Sequence, residues 1–156
     1  MHARTITLFL SFLEKFAPSS SHTTREEVTH RLVEAYSQPF RHYHTDTHIL
    51  DCLEKMEHVR GLISMNYRFE MALWYHDIFY IPGSTINEQA SADIAINDCL
   101  ILGLKRELAL HVGDLIRKKP VKKFYDSLLF HDIEWLLLLP EGPQFHRLLY
   151  RVVPTQ

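Results

Sequence analysis

Histidine is the residue that stands out: eleven of 156 residues, with eight aspartates beside them. Imidazole is the commonest metal ligand and the usual acid–base side chain, so its spacing is where chemistry would show. His44 and His48 stand four apart, a spacing that puts two side chains on one helical face. Composition alone gives roughly 0.75 such pairs in a chain like this, so the pair by itself decides nothing. Two His-Asp dyads, His76-Asp77 and His131-Asp132, exceed the roughly half a dyad expected by chance. Their setting says more than their number. Asp77 lies in the apolar run Ala72-Leu-Trp-Tyr-His-Asp-Ile-Phe-Tyr80, and Asp132 and Glu134 lie in the apolar run from Leu128 to Leu139. A carboxylate among apolar residues needs a cation, a metal or strong donors, because unpaired burial costs several kcal/mol. Two readings follow. The carboxylates pair with Arg or Lys or turn to water at helix ends, or His48, His76, Asp77 and Asp132 converge on one divalent cation.

The elements that must position these residues read as helices throughout. Ile6, Phe9, Leu10, Leu13 and Phe16 recur at three-to-four spacing, with Thr7, Ser11, Glu14 and Lys15 opposite. This reads as an amphipathic helix of a cytoplasmic protein. A signal peptide fits less well, since no small-residue cleavage site follows. Thr24 with Glu27 predicts a capping box for a helix to about Ser37, before Pro39. Thr45 opens a long helix with the stripe Ile49, Cys52, Leu53, Met56, Val59 and Ile63. Residues 67–80 predict a helix apolar almost all round, and therefore buried. Pro82-Gly83 reads as a loop, and Thr85 with Glu88 as a second capping box for a helix ending near Gly103. Helices over about 105–118, 121–139 and 143–152 complete the chain. Strand alternation and repeats are absent, so the fold class is all-α, a single domain over residues 1–156.

Composition bounds the function. Hydrophobic residues make up 46% and charged residues 23%, with net charge −2. That is an ordinary globular balance and excludes bulk electrostatic binding of nucleic acid. No run reaches the 18 or so apolar residues of a spanning helix. Cys52 and Cys99 are too few and too far apart for a disulfide scaffold or a Cys-based zinc site.

Three stretches resemble a bacterial branch of the HD-domain superfamily: Arg41-His-Tyr-His-Thr-Asp-Thr-His-Ile49, the segment Ala72 to Tyr80, and Asn87-Glu-Gln-Ala-Ser-Ala92. Members of that branch are described as metal-dependent phosphohydrolases. The resemblance covers about residues 27 to 150 and implies an HD-like bundle of seven to eight helices. It implies His48, His76, Asp77 and Asp132 as ligands of one divalent ion (Mn, Fe, Co, Ni, Zn or Mg). Two imidazoles and two carboxylates leave coordination positions for water and a phosphoryl oxygen. Tyr43-His44 resembles the pair in which histidine protonates the leaving oxygen, which implies His44 as general acid. Glu88 and Ser91 match the third stretch and belong near the metal, with capping duty the competing explanation for Glu88. Arg41 is the first choice for the phosphate contact, because its planar fork matches phosphate oxygens. The cluster Lys118, Lys119, Lys122 and Lys123 is the second. The implied substrate is a small phosphate ester or nucleotide.

The chain departs from the pattern at Leu115-Ile-Arg-Lys-Lys-Pro120, where the family carries a further Thr and His, and at Asp132-Ile-Glu134-Trp135, where it carries Asp-x-Asp-Leu. The alternatives are a catalytically degenerate HD domain acting as a metal- or nucleotide-binding sensor, a plain helical scaffold, and, more remotely, a di-iron oxygenase of the same fold.

Overall fold

A computed structural model describes residues 1–63, 65–118 and 130. Among these, every regular element is a helix: α1 (Ala3–Phe16), α2 (His22–Tyr36), α3 (Asp46–Val59) running into a 3-10 turn (Arg60–Leu62), α4 (Asn66–Tyr75), α5 (Asn87–Ile101) and α6 (Arg106–Ile116). The expected helices over 121–139 and 143–152, and with them His131, Asp132 and Glu134, lie outside the described residues.

α4 is the centre of the packing, as its all-round apolarity requires. Phe69, Met71, Ala72, Leu73, Trp74 and Tyr75 are all buried, with α3, α5 and α6 against it. Phe9 of α1 meets the Trp74 ring at 4.9 Å between centroids. Each such fully buried aromatic or branched side chain contributes on the order of 1.5–3 kcal/mol. Gly113 lets α6 approach α5, since a Cβ there would lie 2.5 Å from Ile96 Cδ1.

Two buried polar side chains tie the helices together. Asp98, 1% exposed, accepts from Tyr75 Oη at 2.7 Å and from Arg31 at 2.6 Å, tying α2, α4 and α5 together. Tyr36 Oη donates to Trp74 O at 3.0 Å. No helix of the described residues is long and apolar enough to cross a membrane.

Three expected boundaries move. α2 starts two residues before Thr24, because Ser21 is the N-cap and its Oγ accepts from Thr24 N. Thr24 therefore stands at N3, where it cannot cap. The Thr85–Glu88 capping box does not form: α5 begins at Asn87 without a side-chain cap, and Glu88 pairs with Lys118 instead. α4 ends at Tyr75 rather than Tyr80, so His76 and Asp77 lie just past the helix and not inside it.

Candidate metal centre

The early end of α4 is built by hydrogen bonds that compete with helix continuation. A helix C-terminus leaves its last carbonyls unpaired. His76 Nδ1 takes one of them, Leu73 O, at 2.6 Å. Beyond it, Arg41 donates to Asp77 O at 2.6 Å and to Ile78 O at 2.8 Å. Ser91 Oγ then accepts from Phe79 N and donates to Phe79 O. Asn87 does the same with Ile81 N and O through its side-chain amide. Arg41, Asn87 and Ser91 thus hold segment 76–81 at three points. Its backbone cannot continue as helix while these bonds stand.

The other half of the site comes from the start of α3. Asp46 Oδ2 accepts from His2 N at 2.7 Å and from Thr5 Oγ1 at 3.0 Å, and lies 2.9 Å from His2 Nδ1. These contacts dock α3 on the beginning of α1. Burial alone would raise the Asp46 carboxyl, but these donors outweigh it and hold it below the usual range. His48 follows two residues on, 7% exposed and facing α4.

The result is a triangle of ligand atoms. His48 Nε2 lies 3.1 Å from His76 Nε2 and 3.4 Å from Asp77 Oδ2, and His76 Nε2 lies 3.2 Å from that same oxygen. Donors held about 2.0–2.1 Å from one ion stand about 3.0 Å apart at right angles and about 3.4 Å apart at tetrahedral angles. All three sides fall in that interval. The tautomer agrees. With Nδ1–H of His76 donated to Leu73 O, a neutral ring turns the bare Nε2 lone pair toward a carboxylate oxygen. Two acceptors at 3.2 Å need a cation between them, either a proton or a metal. His48 Nδ1 is buried with no hydrogen-bond partner among the described residues, so an ion at Nε2 leaves one buried N–H unpaired among them. That costs about 1–3 kcal/mol, small beside the roughly 10–16 kcal/mol known for structural zinc sites.

Comparison with protein-family models, curated proteins and solved structures finds no match. The site is therefore read from its own geometry.

His44 joins the triangle from outside, its Nδ1 2.7 Å from Asp77 Oδ2 and its ring 4.0 Å from that of Tyr80. Burial would push the Asp77 carboxyl up. Its three imidazole neighbours, His76 first and then His44 and His48, outweigh it and hold the carboxyl well below the usual range. A cavity of about 180 Å³ opens here, lined among the described residues by Tyr43, His44, His48, His76, Asp77, Glu88, Ile116 and Lys118. Two larger grooves, of about 460 and 510 Å³, lie elsewhere and hold none of these groups.

The structure thus brings together His44, His48, His76, Asp77 and Glu88. Arg41, expected at the phosphate, is placed otherwise. It is 5% exposed, and four of its five N–H groups face Asp77 O, Ile78 O, His44 O and Gln38 Oε1. Ser91 is a loop anchor. Lys118 stands at the cavity mouth with Nζ 2.7 Å from Glu88 Oε1. It occupies the left-handed position after α6, φ +54°, where glycine is usual. Phe130, two residues before Asp132 in sequence, packs edge-on to His76 at 6.4 Å. Sequence reasoning missed Cys52 as a neighbour of the site, its Sγ 4.0 Å from His48 Nε2. The signal was the i, i+4 spacing from His48, read only as part of a core stripe.

Proposed function

We propose that this chain is a metal-dependent phosphohydrolase of the HD-domain type, acting in the cytoplasm on a small phosphate ester. One observation carries the reading: the His48–His76–Asp77 triangle, with the His76 proton committed to Leu73 O and three donor atoms at ion-binding separations. Asp132 is the fourth ligand implied by the resemblance. A divalent metal held by these residues supplies Lewis-acid polarisation of a phosphoryl oxygen and an acidified bound water. The protein does the rest. Asp77 accepts from His44 Nδ1–H and favours the imidazolium form of that ring, whose Nε2–H would pass to the leaving oxygen and leave His44 neutral with its Nδ1–H still on Asp77. Lys118 offers the cation for phosphate charge, and Glu88 holds it at the mouth. A cavity of about 180 Å³ is smaller than the roughly 300–1,000 Å³ of ordinary ligand pockets. It takes the phosphate end of a substrate and leaves the rest outside.

A second reading, a metal-binding domain without turnover, is favoured by one observation. Arg41 spends its donors on the protein, and Lys118 is paired with Glu88. Elemental analysis of the purified protein, together with a screen of phosphomonoesters and nucleotides, separates the two. Bound metal with turnover supports the hydrolase, and bound metal with none across the panel supports the second reading. Binding at a hundredfold excess over Kd stabilises by about 2.7 kcal/mol. Chelation should therefore lower the melting temperature and Mn²⁺ or Co²⁺ restore it. A melting curve indifferent to both, with no metal found, removes the metal centre altogether.

A further inference from the structure

The metal-centre reading leaves open which class of ion the site takes, and α3 carries a side chain that bears on it. Cys52 lies one helical turn beyond His48 on the same face, is fully buried, and is not disulfide-bonded. Its Sγ, His48 Nε2 and His76 Nε2 all lie within 4.8 Å of one another. We propose that Cys52 is a further ligand of this centre, entering from the core side, and that it makes the site select thiophilic ions such as Zn²⁺ and Co²⁺ over Mg²⁺ and Mn²⁺. The inference rests on the metal-centre reading and goes beyond it.

Spacing supports it. With a metal–sulfur bond of about 2.3 Å and a metal–nitrogen bond of about 2.1 Å, the two donor atoms stand about 3.6 Å apart at tetrahedral angles. The observed 4.0 Å is within half an ångström of that. Buried cysteine is common as mere packing, and Cys99 shows what that looks like. It is equally buried, sits on α5 beside Asp98, and belongs to neither ligand group of the described residues. Cys52 instead has two imidazole nitrogens within 4.8 Å, that of His48 at 4.0 Å. On binding, the Cys52 S–H bond breaks, its proton leaves to solvent, and one metal–thiolate bond forms. No electron moves. A thiolate beside two imidazoles favours late first-row ions, whereas Mg²⁺ wants oxygen donors.

The test is optical and needs no turnover. The full-length apo chain is titrated with Co²⁺ while its absorption is recorded. A thiolate ligand gives a sulfur-to-cobalt charge-transfer band in the near ultraviolet, besides the visible ligand-field bands of any low-symmetry Co²⁺ site. Wild type and Cys99→Ser should show both, and Cys52→Ser only the visible bands. Zn²⁺ affinity should drop about tenfold or more in Cys52→Ser, with Mg²⁺ affinity unchanged. The wild-type spectrum requires no variant, so it decides the point even if Cys52→Ser misfolds. Visible bands without the near-ultraviolet band in wild type overturn the role of Cys52 and leave the metal centre standing. No Co²⁺ uptake by wild type overturns both.

Discussion

Arg41→Ala separates two jobs that one arginine could hold. As a phosphate contact, Arg41 would matter to substrate affinity and little to folding. As the clasp described above, it should matter to folding first. The magnitude follows from its bonds. Two are short, to Asp77 O at 2.6 Å and Ile78 O at 2.8 Å, and two are long, at 3.2 and 3.3 Å. Hydrogen bonds to a charged group are worth about 1.5–3 kcal/mol each, and removal leaves the carbonyls without a partner. Counting the short pair gives about 3–6 kcal/mol. Part of this is returned, because taking the guanidinium out of water is itself costly. Burial lowers the pKa of Arg41 despite Tyr36, Asp77 and Tyr80 nearby, the same penalty seen from the proton's side. Stacking between the Tyr36 and Tyr80 rings, 5.0 and 5.7 Å away, adds back a fraction. A net loss of about 3–4 kcal/mol remains. In a domain of this size, 1 kcal/mol moves the melting temperature by about 2–4 °C, so Arg41→Ala should melt about 6–16 °C lower. Circular-dichroism melts with chelator present keep metal loss out of the comparison. Arg41→Lys, which keeps the charge but not the fork, should fall in between. An Arg41→Ala variant melting within about 2 °C of wild type refutes the clasp.

Three further outcomes are expected. His44→Ala should keep the metal but lose roughly 10²–10⁴-fold in turnover of alkyl or ribose phosphates, and much less on a p-nitrophenyl ester, whose leaving group needs little protonation; equal losses on both make His44 a positioning residue. Lys118→Gly relieves a left-handed backbone that costs about 1–2 kcal/mol, so the melting temperature should rise while KM for a phosphate ester rises too; an unchanged KM removes Lys118 from the substrate. Burial raises the carboxyl of Glu70, against the opposing pull of Arg60 and Trp74. A carboxyl whose folded pKa lies above its unfolded one costs stability while ionised, and that cost fades as pH falls through the raised value. Glu70→Gln should therefore melt higher than wild type at pH 7, with the difference closing toward the ordinary glutamate range. A gap that widens on acidification contradicts this.

Helix identity was legible because burial is periodic. On α1 the stripe was legible in part: Phe9, Leu13 and Phe16 are buried, Ile6 and Leu10 are only half-buried, and Phe12, outside the stripe, is buried with them, whereas the all-round apolarity of Met71 to Tyr75 is buried throughout. Boundaries were less so. A capping box is a four-residue signal, and Ser21, three residues upstream of Thr24, offers the same hydroxyl chemistry one turn earlier. At α5 the match was a coincidence of letters, since Glu88 has Lys118 to pair with thirty residues away. The end of α4 was illegible for another reason. Only the His76 ring, turned back on Leu73 O, acts locally there; the rest of the stop comes from Arg41 and Ser91, distant in sequence.

That long-range origin also explains why the short motifs were read partly for the wrong duty. A residue in such a stretch invites a chemical role, as Arg41 does at the phosphate and Ser91 near the metal, while Asn87 is given none. In space they serve the ligands indirectly. His76 and Asp77 can turn their side chains to one point only if the chain leaves the helix there, and leaving the helix strands the backbone groups from Leu73 to Ile81. Those groups need partners, because unpaired burial costs more than the site could tolerate. The His76 ring supplies one, Arg41 two, Ser91 two and Asn87 two. The spacing of the three stretches is thus set by a hydrogen-bond requirement around one sharp turn. Cys52 went the other way: its letter and position fitted a core stripe so well that its distance to two imidazoles could be found only in three dimensions.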